Sequence, residues 1–353
     1  MDYNHIIQHY IIPQLKIIES KKQEIPQNML GRMLAYSCFM PRLSDIAYLY
    51  ENFRCMEKDD FIFAHKGLCI SPSDVSKLLQ DCNVLHKALN DDLNNETLCV
   101  LLDSVDTYIP FYASRDNFLT SNKNSSNSTI SNSPSATINT NSSLEEYTLP
   151  DCIGILRRLS SAFIAQGGVI LDSYQILESA IAGADMVIID VTLLRSYALF
   201  ACLIKEGLAD ISSLDLASDD IFSNHARLDS NIINKVLSIP INPKNYKHKN
   251  ILLDNLNNLI SLATNLGLVP IIRIQAKEDL ALLLGLKQAI DCVIVPTNLI
   301  SLLPNSYLIF SYASYFNDKN LNNTNVDLEM NSKFKQFCLD NPGVDMVIES
   351  IVN

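Results

Sequence analysis

The side chains of this chain best suited to chemistry are a pair of serines and a few isolated cations. Ser71 and Ser73 flank Pro72, and two hydroxyls at that spacing can both donate to a phosphate. Asp74 follows directly and would repel one, so a structural turn competes with that reading. Arg273 lies in the apolar run Val269–Ile274. An arginine facing inward from a buried strand needs an ionic partner, and Asp190 is a nearby carboxylate that could supply it. The alternative is a pocket for an anion. Lys66 carries the same two readings, an anion contact or a solvated lysine at a strand end. Ser71, Ser73 and Arg273 are therefore the substrate-binding candidates. His65 reads as a packed strand residue rather than a base, and His86 and His248 as surface residues. No metal centre is expected: the six histidines are scattered, and none has ligand spacing with a cysteine or carboxylate. The nine cysteines (38, 55, 69, 82, 99, 152, 202, 292, 338) form no Cys-x-x-Cys pair.

Composition narrows the partners. A net charge of −12 argues against nucleic acid and against anionic membrane surfaces. It does not advertise a phosphorylated substrate either, although an acidic protein can hold a local cationic pocket. Most cysteines sit in apolar surroundings such as Leu98-Cys99-Val100, which points to buried, reduced thiols and a cytoplasmic location. Met1–His5 has neither a basic start nor an apolar core, so no signal peptide is expected. No apolar run approaches the roughly 18 residues of a membrane span.

The elements that must position these residues alternate in type. Eight short apolar runs read as strands: Phe61–Ala64, Leu98–Leu102, Ala162–Ala165, Met186–Ile189, Val269–Ile274, Cys292–Val295, Leu308–Phe310 and Met346–Ile348. Helical periodicity lies between several of them, notably over Leu253–Leu262 and Glu278–Gln288. Eight buried strands alternating with helices outline a (β/α)8 barrel; a doubly wound open sheet fits less specifically. The 353 residues read as one barrel domain with residues 1–58 as an amino-terminal extension. Its residues 2–20 are helical in pattern, with Ile6, Ile7, Tyr10, Ile11, Leu15 and Ile18 on one face despite Pro13. Two insertions account for extra length. Residues 121–143 are mostly Ser and Asn, a composition that cannot offset its ordering entropy and reads as disordered. Residues 196–250 are more mixed.

One segment carries a resemblance. Asp172-Ser-Tyr-Gln-Ile-Leu-Glu-Ser-Ala-Ile-Ala-Gly-Ala-Asp185 closely resembles the third helix and the approach to the fourth strand of indole-3-glycerol phosphate synthases. Weaker matches follow in order. Ile25–Ala35 resembles that family's extension, Ser71-Pro-Ser73 its turn after strand one, and Val100-Leu-Leu-Asp103 the end of strand two. Phe111-Tyr-Ala-Ser114 falls on a Phe-x-Gly-Ser loop, and Leu266–Leu280 on strand five and the following helix. Leu303–Ser306 and Gly343-Val-Asp345 lead into strands seven and eight. The resemblance implies a barrel that closes an indole ring on a carboxyphenylamino-deoxyribulose phosphate, with loss of carbon dioxide and water and with no cofactor. A phosphorylated small molecule is the ligand it implies; a protein partner or dimer stays open.

The family's catalytic positions are substituted here. The strand-one Glu and Lys fall on Lys66 and Leu68, or on His65 and Gly67 in the other register. The lysine after strand three falls on Gly167, the strand-five Glu on Arg273 and the His beyond it on Gln275. The strand-six Asn falls on Val295 and the strand-seven Glu on Tyr312, whose expected role is to fill a disused pocket. No catalytic residue of the family is retained, so its activity is expected to be lost or strongly impaired, as in a pseudoenzyme or decaying paralogue. The alternative is a working lyase of tryptophan biosynthesis. After strand eight the chain reads as truncated, and the amino-terminal helix is expected to cover the flank of strands one and eight.

Deleting residues 121–143 should leave the melting temperature nearly unchanged, because loop-closure entropy varies slowly with length. A drop of several degrees in a thermal melt would show that the tract packs on the barrel.

Overall fold

A period of two places alternate residues of each apolar run on opposite faces, and the barrel is built from that alternation. The computed structural model describes residues 3–43, 45–58, 61–72, 75, 97–103, 149–208, 248–312 and 326–350. Its barrel strands are β3 (His65–Ile70), β4 (Thr97–Leu102), β5 (Phe163–Gln166), β6 (Met186–Asp190), β7 (Val269–Arg273), β8 (Cys292–Ile294), β9 (Leu308–Tyr312) and β10 (Met346–Ser350). They run parallel and close in the order β10-β3-β4-β5-β6-β7-β8-β9, a (β/α)8 barrel. Cys69, Leu101, Ala165, Ile188, Ile271, Ile294, Phe310 and Ile348 pack together inside. Leu68, Val100, Ile164, Val187, Ile272, Val293, Ile309 and Val347 join the outer core.

The first strand differs from the sequence reading. Phe61–Phe63 (β2) pairs antiparallel with Met56–Lys58 (β1), outside the barrel. The barrel strand begins at His65. The apolar run Phe61-Ile-Phe-Ala64 looks more like a core strand than one whose inward positions are Gly67 and Cys69. The Met346 side chain fills the space beside Gly67: a Cβ there would lie 2.9 Å from Met346 Sδ, so a larger residue would require that side chain to move.

The extension forms three helices. Helix α1 runs through Tyr3–Ile6, a π-helical turn Ile7–Ile11 and Ile12–Glu24; α2 spans Gln27–Leu34 and α3 Ile46–Phe53. Pro13 lacks an N–H and crowds the preceding turn, and the chain answers with a wider turn in which Ile12 N–H donates to Ile7 O. The ring helices are α4 (Leu149–Leu159), α5 (Ser173–Ala182), α6 (Val191–Leu208), α7 (His248–Asn265), the short α8 (Leu280–Leu283) and α9 (Thr297–Ile300), and α10 (Val326–Asp340). Helix α1 packs on α6 and α5, not on the flank of strands one and eight as expected. Residues 196–208 belong to α6 and 248–250 to α7, which narrows the second insertion to 209–247, outside the described residues. The tract 121–143 is also outside them. Glu278–Gln288 does not form one helix: a 3-10 turn Lys277–Asp279 leads into α8, which stops before Gly285.

The barrel's lower end is closed by the extension through buried carboxylates. Asp185, just before β6, accepts from Arg42 Nη2 at 2.6 Å, Arg157 Nη1 at 2.7 Å and the Ile164 amide at 3.0 Å. Asp345, just before β10, accepts from Ile309 N at 2.9 Å and Cys55 N at 3.0 Å, with Arg54 Nη1 at 3.4 Å. Tyr50 donates to Asp291, before β8, at 3.2 Å. Phe53 is fully buried under the barrel, its ring 5.3 Å from that of Phe163 and 5.7 Å from that of Phe310.

Asp185→Ala should cost about 3–5 kcal/mol, since it strands two guanidinium groups and an amide. Urea unfolding measures it, and a loss below about 1 kcal/mol would mean that the extension is held some other way.

Candidate functional site

In a parallel barrel the residues at the carboxyl ends of the strands share one mouth. Here those positions hold a polar cluster centred on Arg273, the last residue of β7. Its Nη2 donates to Asp103, which follows β4, and to the Tyr312 hydroxyl at 3.0 Å. Its Nη1 lies 3.7 Å from Asp190 Oδ2, at the end of β6. Gln275 Nε2 donates to the same Asp190 oxygen at 2.8 Å. The other Asp190 oxygen accepts the Thr192 and Leu193 amides at 2.8 and 3.1 Å, so the residue also satisfies the start of α6. Arg273 is 4% exposed and Asp190 2%.

Electrostatics follow from that burial. Burial pulls the Arg273 guanidinium down, but Asp103, Tyr312 and Asp190 outweigh it, and its pKa stands well above the usual value. Burial pushes the Tyr312 phenol well above its usual value against the pull of Arg273, so it stays protonated at neutral pH. Burial also raises the Asp190 carboxyl, opposed first by Arg273. The mouth is thus a neutralised network rather than an open cation.

The predicted positions divide. Gly167, Arg273 and Tyr312 meet at the mouth, and Gly167 is where Asp103 lies: a Cβ there would be 3.0 Å from Asp103 Cγ and 3.2 Å from its Oδ2. Lys66 and Leu68 do not join them. Leu68 belongs to the outer core, Lys66 shares its face, and Lys66 pairs with Val347 low on the strand. Val295 also faces the outer core, its N–H bonded to Phe310 O. Ser71 is buried at the end of β3, with its carbonyl accepting from Val75 N, whereas Ser73 lies outside the described residues. No lysine ends a described barrel strand, and among the described residues no group of three or more His, Cys, Asp or Glu could hold a metal ion. No helix among them is long and apolar enough to cross a membrane.

Asp103 is not among the sequence candidates for the site, where Val100–Asp103 serves only as a scaffold match. Its signal was available in three runs of one pattern: Leu101-Leu-Asp103, Ile188-Ile-Asp190 and Ile271-Ile-Arg273. Each ends a buried strand in a charge of inward parity. Two acids and one base at equivalent heights predict a network.

No family model matches the chain, and no curated protein matches it. Among solved structures, one from Coccidioides immitis, assigned provisionally as a fructose-1,6-biphosphate aldolase, is similar at 10% identity and a TM-score of 0.32. The match covers 82% of this chain and 74% of that one.

Gly167→Ala should destabilise by about 1–3 kcal/mol through overpacking against Asp103, read from chemical unfolding; an unchanged midpoint would place Asp103 elsewhere. Asp190 gives a pH signature. Its raised pKa means that the folded state holds the proton more tightly than the unfolded chain. Its contribution to stability is therefore present at low pH and lost as pH rises from the ordinary aspartate value through the raised one. Asp190→Asn should remove that slope, gaining stability relative to wild type between pH 4 and pH 7 in paired melts. A gap that shrinks or reverses over this range would contradict the assignment.

Proposed function

We propose that this chain is a barrel of the indole-3-glycerol phosphate synthase type whose ring-closing decarboxylation is lost or severely weakened. The ordered motifs from Ile25 to Asp345 support the type, and the parallel barrel is the scaffold they require. The loss is carried by one observation. Where a polarising lysine would project there is Gly167, and the space beside it holds Asp103, bound to Arg273.

The reaction needs a protonated group to polarise a ketone and an acid/base pair for dehydration. Arg273 is a poor substitute for the first, because its charge is already shared with Asp103 and Asp190. Tyr312 keeps its proton, and Asp190 is occupied by two amides and Gln275. Losing one general acid or base costs roughly 10²–10⁴ in rate. Losses within one catalytic unit do not simply add.

Expressed in a synthase-deficient auxotroph, the chain should not restore growth without tryptophan. The purified protein should form no indole-3-glycerol phosphate above background. Growth at ordinary expression levels would overturn the proposal in favour of a working lyase.

A further inference from the structure

We infer that His5 and His9 form an exchangeable binding site for a divalent transition-metal ion such as Zn²⁺, on the outer face of helix α1. This goes beyond the reading above and is independent of the barrel mouth. The two histidines are four residues apart and both exposed, whereas Ile6, Ile7 and Ile11 are buried. The helix thus turns its apolar face to the protein and holds both imidazoles in solvent. Their ring centres are 4.4 Å apart, with the planes inclined at 36°. With metal–nitrogen bonds of about 2 Å, two imidazoles on one ion have ring centres about 4.5–5 Å apart. A small side-chain rotation separates the pair from that arrangement, so little order has to be created on binding.

The backbone explains the closeness. In a regular α-helix, residues four apart are turned about 40° past each other around the axis. Between His5 and His9 the chain enters the π-helical turn Ile7–Ile11, whose wider loop takes up part of that rotation and brings the rings together. Ile7 and Ile11, both fully buried, hold the turn in place. Each imidazole has two nitrogens, so one can ligate while the other keeps a hydrogen bond. No cluster of three or more His, Cys, Asp or Glu forms around them among the described residues. Two protein ligands leave the other positions to water or a second ligand, which makes the ion exchangeable rather than structural. Imidazole donors suit Zn²⁺ and Ni²⁺ and reject Mg²⁺.

Calorimetric titration of the full chain, without a polyhistidine tag, with ZnCl₂, NiCl₂ and MgCl₂ tests the site. A Cys38→Ser background removes competition from the exposed thiol. One zinc or nickel ion per chain is expected, and no response to magnesium. His5→Asn and His9→Asn should each weaken binding about a hundredfold, because the second nitrogen binds intramolecularly. Both side chains are exposed, so the metal-free melting temperature should not change. Imidazole ¹H–¹⁵N NMR of the unsubstituted chain should show two histidines shifting together at one metal ratio. Should either variant fold poorly, those spectra decide alone. Binding that survives either substitution, histidines that respond at different metal concentrations, or saturation only near about 1 mM zinc, the range of a weak single contact, would each overturn the site.

Discussion

The buried carboxylate of Asp185 joins four parts of the molecule that are distant in sequence: the extension through Arg42, helix α4 through Arg157, strand β5 through the Ile164 amide, and β6, which it precedes. An isolated charge in that position would be costly, so the arginines and the amide must all arrive together. The arrangement recurs across the barrel. Gly183-Ala-Asp185-Met-Val-Ile and Gly343-Val-Asp345-Met-Val-Ile enter strands four places apart, and both glycines have φ near the left-handed value, 94° and 100°. In each, the aspartate amide donates to a residue of the previous strand, Ile164 or Ile309, whose own amide returns to the carboxylate. The extension visits both sites, with Arg42 at one and Arg54 at the other. It thereby ties opposite sides of one barrel together from below.

The two ends of the barrel use charge differently. At the lower end the carboxylates are fixed by arginines from outside the barrel, and Phe53 seals the floor. At the mouth, Arg273 and its carboxylates all come from the strand ends themselves, so the positive charge that an anion would need is consumed internally. Buried ion pairs are weak evidence of net stability, but they define one geometry because any partial arrangement leaves a charge stranded. The mouth is rigidly specified while its chemistry is restrained.

Much of the fold was legible because core strands are short apolar runs between helical periods. Seven of the eight runs fall on barrel strands. The exception, Phe61–Ala64, misled because hydrophobicity cannot tell a hairpin from a core strand, and the true strand hides its inward positions behind Gly67 and Cys69. The most informative motif turns out to be architectural. Asp172 and Gln175 cap α5 reciprocally, Gly183 ends it, and Asp185 anchors the next strand. The site was legible only in part. Gly167, Arg273 and Tyr312 met as the register predicted, but Lys66, Leu68 and Val295 have outward parity, and a one-residue uncertainty in a strand inverts that property. The helix at the start of the chain was legible, but its place was not: an apolar face says that something covers it, not what.

The barrel interior is also rich in sulfur. Cys69, Cys99, Met186, Cys292 and Met346 all lie within it, and no disulfide joins cysteines among the described residues. Burial holds the Cys99 and Cys292 thiols far above their usual pKa, with nearby carboxylates adding to the effect. Thiolate is the reactive form, so these groups are inert to alkylating agents and peroxides while the barrel is closed. Cys38, in contrast, is exposed on the extension. The molecule therefore carries its own clock: modification of the surface thiol marks time in solvent, and modification of the interior pair counts the occasions on which the barrel comes apart.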